Sequence, residues 1–232
     1  MFLLKLFIIW ITFTLKMIKA KNINFYYDNT QVLKDINLEI KEGEFISIVG
    51  SSGAGKTTLL NLLGTLQKVQ KGSIIINNQD INKLTPNQLS KLRNKYIGFI
   101  FQFHNLLAEF TVLENVCLPA LTDGKNKKNI EDKAKEILES LSISNKLNQK
   151  PNELSGGEQQ RVAVARSLIN SPSILLADEP SGNLDSKNAE DLHNILLKLN
   201  KEKKQTIIVI THNNDLAKLA DRVIKIEDGK II

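Results

Sequence analysis

The residues of this chain whose types and spacing suit chemistry on a polyphosphate begin with Gly50-Ser51-Ser52-Gly53-Ala54-Gly55-Lys56-Thr57. This run fits G-x-x-x-x-G-K-[ST] at all four fixed positions. Glycines let the backbone curl until successive N–H groups point into one concavity, where they and a following helix N-terminus can hold phosphate oxygens. Lys56 would add a point charge at the β- and γ-phosphates, the Thr57 hydroxyl would bind Mg²⁺, and Thr58 continues the cradle into the helix. A Gly/Ser-rich turn joining a strand to a helix is the plain structural alternative. The agreement of all four positions and both flanking elements argues against it.

Downstream, Ile174-Leu175-Leu176-Ala177 reads as a buried strand that delivers Asp178 and Glu179 to its carboxyl end, where ligands bind in open α/β folds. Asp178 is placed to hold Mg²⁺ through its water shell, and Glu179 to polarise an attacking water. Gln102 ends the apolar run 97–101 and His212 ends the strand-like run 206–210. The glutamine can reach the ion or a water, and the histidine can reach the γ-phosphate. Each is a weak signal alone, since a strand-end Gln or His is ordinarily a satisfied polar residue.

A further device lies in Leu154-Ser155-Gly156-Gly157-Glu158-Gln159-Gln160-Arg161. Ser155 is a natural N-cap with Glu158 as its capping-box partner, and Val162, Ala165, Leu168 and Ile169 supply an apolar face. Two glycines beside the serine leave bare N–H groups at a helix N-terminus, which is again an anion site. One chain thus carries two phosphate-binding devices, and they need not serve the same site within one molecule.

The elements that must position these residues are legible in outline. The run 45–49 is short, apolar and β-branched, as a strand buried on both faces of a parallel sheet would be, and a helix follows the glycine loop. Residues 23–27, the cluster Asp28-Asn29-Thr30 and the alternation of Ile36, Leu38 and Ile40 predict a β-hairpin, with Tyr26 or Tyr27 able to stack on a base. Ile74-Ile75-Ile76 forms another strand. From 105 to 144, Ile130, Ala134, Ile137, Leu138 and Leu141 at helical spacing predict an amphipathic helical lobe, broken up by Pro119 and the Asp123-Gly124 turn. Leu192, Ile195, Leu196 and Leu199 mark a late helix, and residues 223–232 a closing hairpin around Asp228-Gly229.

A chain of 232 residues with net charge +6 has room for one α/β domain or a core with a small inserted lobe. Basic clusters at 125–128 and 201–204 suit solvated helix ends or an anionic surface. No aromatic residues interleave with them as a nucleic-acid groove would require, so nucleic acid is not an expected partner. The single cysteine, Cys117, cannot form an intrachain disulfide and reads as core, in keeping with a reducing compartment. The first sixteen residues are almost continuously apolar yet shorter than the roughly 20 a spanning helix needs. They read as an upstream extension with translation starting at Met17, the rival being an added membrane anchor.

Residues 50–57, Gln102, residues 154–158, Asp178-Glu179, Asp185 and His212, in this order, make the sequence resemble the ATP-binding subunit of an ABC transporter, from about Ile18 onward. The resemblance implies an α/β fold with a P-loop NTPase (RecA-like) core, an antiparallel β-subdomain and an inserted helical subdomain at about 103–165. The ATP-binding domain would span 18–232 after an N-terminal extension, 1–17. ATP and Mg²⁺ are the implied cofactors. Gly50 to Thr57 resemble the Walker A loop, Tyr27 the adenine-stacking aromatic and Gln102 the Q-loop glutamine. Leu154 to Glu158 resemble the ABC signature. Asp178 resembles the Walker B aspartate, Glu179 the catalytic glutamate, Asp185 the D-loop aspartate and His212 the switch histidine.

In that family the signature of one subunit completes the Walker A site of another, so a second copy of the chain is an implied partner and two ATP molecules are clamped head to tail. Within the family, residues 102–116 and Pro180-Ser181-Gly182-Asn183-Leu184-Asp185 look most similar to the lipoprotein-releasing branch, although Ala108 stands where proline is expected. That similarity implies integral membrane subunits as partners, lipoprotein cargo handled indirectly, and a peripheral place on the cytoplasmic side of the inner membrane. ATPases of macrolide export and of cell division share the architecture and stand as the alternative.

Overall fold

Strands of this chain divide between two sheets. The computed structural model describes residues 16–122 and 126–232. The extension before Lys16, the Asp123-Gly124 turn and Lys125 lie outside the described residues. In chain order the elements are β1 (Lys16–Tyr27), β2 (Thr30–Lys41), β3 (Phe45–Val49), α1 (Lys56–Leu63), β4 (Lys71–Ile76), β5 (Gln79–Asp80), α2 (Pro86–Tyr96) and β6 (Ile97–Phe101). There follow α3 (Val112–Leu121), α4 (Lys127–Ser140), α5 (Gly156–Leu168), β7 (Ile174–Asp178), α6 (Ser186–Lys203), β8 (Thr206–Ile210), α7 (Asn214–Lys218), β9 (Arg222–Glu227) and β10 (Lys230–Ile231).

The first sheet is antiparallel, in the order β2-β1-β4-β5. Its hairpin is longer than the alternation in the sequence suggested, because β1 begins at Lys16. Ile18 and Ala20 pair on both sides, with Ile40 and Leu38 of β2 and with Ile76 and Ile74 of β4. A shift of register between Ala20 and Ile23, with Asn22 at φ 50, interrupts the period-two pattern and hides the strand's continuity. Met17, read as standing ahead of the first strand, is inside it and buried.

The second sheet runs β10-β9-β3-β8-β7-β6, parallel throughout except for the terminal β9-β10 pair. The strands buried on both faces, β3 and β8, are near-continuous apolar runs, as a covered parallel sheet demands. Ile46, Ile48, Leu176, Ile208 and Ile210 face the hairpin and α1. Phe45, Ile100, Leu175, Ala177, Ile207 and Val209 cluster with Val116, Ala134, Leu138 and Val162 of the helical lobe. The lobe therefore continues the core on one face of the sheet.

Two helical features depart from the sequence reading. Helix α2 is absent from it because only Leu92 is buried, so no apolar periodicity marks it. Its signal is at the start, where Thr85 N donates to Gln88 Oε1 at 2.8 Å, Gln88 N donates to Thr85 Oγ1 at 3.3 Å, and Pro86 takes the first turn. Pro119, expected to break the lobe, lies inside α3. It sits in the last turn, and its carbonyl, one of those a helix end leaves unpaired, accepts from Thr122 Oγ1 at 3.0 Å and Asn170 Nδ2 at 3.1 Å.

Helix α5 presses directly on β6 at Gly98, where an added Cβ would collide with the Ser167 carbonyl oxygen and the Leu175 side chain. Gly98→Ala should lower the stability of the full chain by about 1–3 kcal/mol. Urea unfolding checks this, and an unchanged midpoint would show that the helix can back away at no cost.

Candidate functional site

Parallel register sets the site. Phe101, Asp178 and Ile210 stand in one row, with Ile48 opposite Ile210. The residues that follow each strand therefore emerge at one edge: the glycine loop after β3, Gln102 after β6, Glu179 after β7, and Thr211-His212 after β8. Residues of the glycine loop, Gln102, Asp178, Glu179 and His212 line a cleft of about 600 Å³ together with Tyr27.

Within the loop, Gly55 takes φ 100 as it opens α1, a left-handed conformation that glycine adopts without strain. Gly50 lies so close to the Ile226 carbonyl that a side chain there would collide. Lys56 Nζ donates to the carbonyls of Gly50 at 2.8 Å and Ser51 at 2.7 Å, which leaves one of its three N–H groups for another acceptor. Gly50, Ser52, Gly53, Gly55, Thr57 and Thr58 all line the cleft. Ser51 and Ala54 belong to the loop, and the Ala54 side chain is buried in the core beneath it.

Of the two tyrosines, Tyr27 lines the cleft, 46% exposed, with its hydroxyl accepting from Gln67 Nε2 at 2.6 Å. Tyr26 instead lies under Lys71 Nζ, 5.4 Å from the ring centroid.

Asp178 and Glu179 differ in their surroundings. Burial raises the Asp178 pKa; a hydrogen bond from Thr57 Oγ1 to Oδ1 at 3.4 Å opposes this, and the neighbouring Glu179 charge adds to it. Glu179 is held at φ 45, a conformation that costs a bulky L-residue on the order of 1 kcal/mol. Its backbone N–H donates to Ile210 O at 2.9 Å. Its carboxylate is gripped by one neighbour, with His212 Nδ1 2.9 Å from Oε1 and the His212 N–H donating to Oε2 at 3.3 Å. Gln102 Nε2 donates to Asn183 Oδ1 at 3.1 Å, which turns the oxygen end of its amide into the acceptor available to a ligand.

Ser155, Gly156, Gly157, Glu158 and Asp185 do not line this cleft. The predicted capping box is present, with Ser155 N donating to Glu158 Oε2 at 2.8 Å and Glu158 N to Ser155 Oγ at 3.3 Å. The Ser155 N–H is the leading cause of a lowered Glu158 pKa, and Lys146 lies 3.4 Å away. Around Gly156 there is open space, whereas a Cβ on Gly157 would collide with Asn188. Asn188 also binds Asp185, which accepts from its backbone N at 2.9 Å and its Nδ2 at 2.7 Å and so caps α6. The glycine-led helix start and Asp185 thus form a second cluster around Asn188.

Sequence reasoning passed over Gln160, 1% exposed, whose Nε2 donates to Pro180 O at 2.7 Å and ties α5 to the segment after Glu179. It also passed over Arg166, which clasps the carbonyls of His104 at 2.7 Å and Asn105 at 2.6 Å just beyond Gln102. The available signal was polar residues on the body of α5, a helix read for its N-terminus and its apolar positions. Cys117, read as core, is buried, and desolvation pushes its thiol up to about 11.

The sequence profile of the ABC transporter family matches residues 33–182. A lipoprotein-releasing system ATP-binding protein, LolD, of Cytophaga hutchinsonii is 51% identical over 217 residues, covering 94% of this chain and 99% of that protein. LolD of Aquifex aeolicus is 45% identical over 217 residues, covering 94% and 96%. Among solved structures, the dimeric bacterial ABC transporter cassette MJ0796 is similar with a TM-score of 0.86 at 43% identity, over 93% of this chain and 96% of that one. A post-hydrolysis dimer of the same cassette, bound to ADP and Pi, gives 0.85 at 42% identity over the same shares of the two chains.

The raised Asp178 pKa carries a stability consequence. Below the ordinary carboxylate range the group is neutral in both folded and unfolded chains; as pH rises from that range to the raised folded pKa the unfolded chain loses its proton first and stability falls, and above the folded pKa the loss is complete. Asp178→Asn should therefore raise the melting temperature of the nucleotide-free protein near pH 7. The gain should fade as the pH is lowered towards 4. A melting temperature unchanged or lowered at pH 7 would contradict the desolvation account.

Proposed function

This chain belongs to the ABC transporter family, and on that premise we propose that it is the ATP-hydrolysing subunit of a complex that releases lipoproteins from the bacterial inner membrane. The observation that carries the ATPase reading is the row of parallel strand ends that gathers the glycine loop, Gln102, Asp178-Glu179 and His212 around one cleft. The cargo reading rests on relatives named for lipoprotein release at 45–51% identity over most of both chains.

In this reading the loop N–H groups and the N-terminus of α1 hold the β- and γ-phosphates, with Lys56 as the fixed charge. Tyr27 offers its ring to the base. Thr57, Gln102 and Asp178 present hydroxyl, amide and carboxylate oxygens, the donor set a hard divalent cation takes, and a desolvated carboxylate gains most from such a partner. Mg²⁺ held there would neutralise charge developing on the phosphates.

Glu179 takes a hydrogen bond from the attacking water and orients its lone pair at the γ-phosphorus. As the new P–O bond forms, the bond to the bridging oxygen breaks, ADP leaves with that electron pair, and the water proton passes to Glu179. His212 fixes the carboxylate with two contacts, and in this reading it also meets the γ-phosphate. Because Ser155, Gly156 and Gly157 lie outside their own chain's cleft, they serve the cleft of a second copy, and Asp185 beside them reaches across the same contact.

The membrane partners would be integral subunits of the LolC/LolE type. Among the described residues no helix is long and apolar enough to cross a membrane. A groove of about 510 Å³ lined by Phe99, Phe101, Asn105, Pro119 and Arg166 is the surface proposed for them. Phe103 is 69% exposed in the loop beside it, and Leu107 and Phe110 are exposed further along. The chain then works peripherally on the cytoplasmic side of the inner membrane.

Glu179→Gln should bind ATP and trap a closed dimer while hydrolysis falls at least a hundredfold, an effect of the size general-base loss gives. Lys56→Ala should bind ATP poorly. Mixing Ser155→Arg and Lys56→Ala subunits should recover part of the activity neither homodimer has, and no recovery would count against the shared site. In cells depleted of this chain, membrane fractionation should find outer-membrane lipoproteins held in the inner membrane, unrescued by Glu179→Gln. An unchanged distribution removes the cargo assignment.

A further inference from the structure

We propose that His193 is a positioning residue for hydrolysis, holding the segment 180–185 beside Glu179 through the hydroxyl of Ser181; this rests on the reading of the cleft as an ATPase site. On α6, His193 shares the buried side of the helix with Leu192 and Leu196, only 7% exposed. An imidazole on an apolar helix face costs desolvation unless it finds a partner. Its Nε2 lies 3.2 Å from Ser181 Oγ, and Ser181 is itself only 8% exposed. Burial lowers the His193 pKa, which keeps the ring neutral near pH 7, and a hydroxyl that can both donate and accept suits either tautomer.

The segment it grips is anchored at successive points by different elements. Pro180 O accepts from Gln160 Nε2 of α5 at 2.7 Å. Gly182 N donates to Glu179 O at 3.0 Å. Asn183 and Gln102 exchange two hydrogen bonds, of 3.1 and 3.3 Å. Asp185 then caps α6. Ser181 is the point fixed from inside the helix layer, and it immediately precedes Gly182, the residue that bonds back to Glu179.

Glu179 needs such support, because its φ of 45 persists only where the surroundings impose it. With the Ser181 anchor gone, the Gly182–Glu179 bond and the Asn183–Gln102 pair are free to shift together, and the carboxylate moves relative to the bound phosphate. A displacement of about 1 Å is enough to slow a reaction that depends on alignment. Nucleotide affinity is set elsewhere, since neither Ser181 nor His193 lines the cleft. The competing view is that His193 only fills space, in which case an apolar side chain of similar volume would serve equally well.

Steady-state ATP hydrolysis by the full chain separates the two. His193→Leu should lower kcat roughly tenfold with KM for ATP within about twofold. His193→Gln, which keeps an amide nitrogen near the place of Nε2, should recover most of the loss. Ser181→Ala should match His193→Leu, and the double variant should be no slower than either single, as expected for two residues acting through one contact. Equal kcat for the Leu and Gln variants, a change carried by KM, or losses that multiply in the double variant would each overturn the proposal. If His193→Leu does not fold, Ser181→Ala against Ser181→Thr decides: retention by Thr alone supports the hydroxyl's role, and equal rates overturn it. Glu179→Gln run alongside keeps the two readings apart. Hydrolysis that survives Glu179→Gln overturns the ATPase site itself, whereas hydrolysis abolished there and untouched by His193→Leu overturns only the role of His193.

Discussion

Everything at the cleft depends on the parallel register of β3, β8, β7 and β6. Four strands hydrogen-bonded in step end in step, so Gln102, Glu179 and His212, far apart in sequence, are delivered to one edge, where the glycine loop after β3 brings Thr57. The apolar character of those strands follows from the same arrangement. A sheet covered on one face by the hairpin and α1, and on the other by the helical layer, has no solvent face on which to place polar residues. Polarity is therefore concentrated at the strand ends.

That concentration makes the edge an uncomfortable place for its own residues. Asp178 is desolvated beside a second carboxylate, Glu179 holds a left-handed backbone, and Lys56 turns its charge onto carbonyls of its own loop. Under the proposed function these side chains would meet partners there: a cation for the aspartate, phosphate oxygens for the lysine and a water for the glutamate carboxylate. Surrounding contacts hold this arrangement, with His212 on the Glu179 carboxylate, Gln160 on Pro180 and Arg166 on the backbone after Gln102.

The local elements were legible in the sequence. The glycine loop, the Ser155–Glu158 capping box and the closing hairpin are set within a few residues of chain, and the structure has each of them where its residues imply. Legibility failed where a long-range contact overrides a local pattern. The bulge after Ala20 concealed the first part of β1, whose partners are β2 and β4. Pro119 lies within the last turn of α3, where Asn170, 51 residues on by sequence and adjacent in space, takes its carbonyl. Helix α2 buries one leucine and shows itself only through its cap. Residue patterning alone left Tyr26 and Tyr27 open and the family resemblance favoured Tyr27; in the structure Lys71 covers the Tyr26 ring and Tyr27 lines the cleft.

The position of β3 also sets a schedule for synthesis. The strand that carries the phosphate loop lies between β8 and β9, and Gly50 rests against Ile226. At the speed of a ribosome, roughly 9–36 s separates the emergence of β3 from that of both its neighbours. During that interval the hairpin of β1 and β2 can already form from contiguous chain, while β3 remains an apolar segment with two open edges. A growing chain of this protein is thus unable to assemble its nucleotide cradle until its last strands are made, and the unpaired β3 is the stretch that nascent-chain chaperones would have most reason to cover.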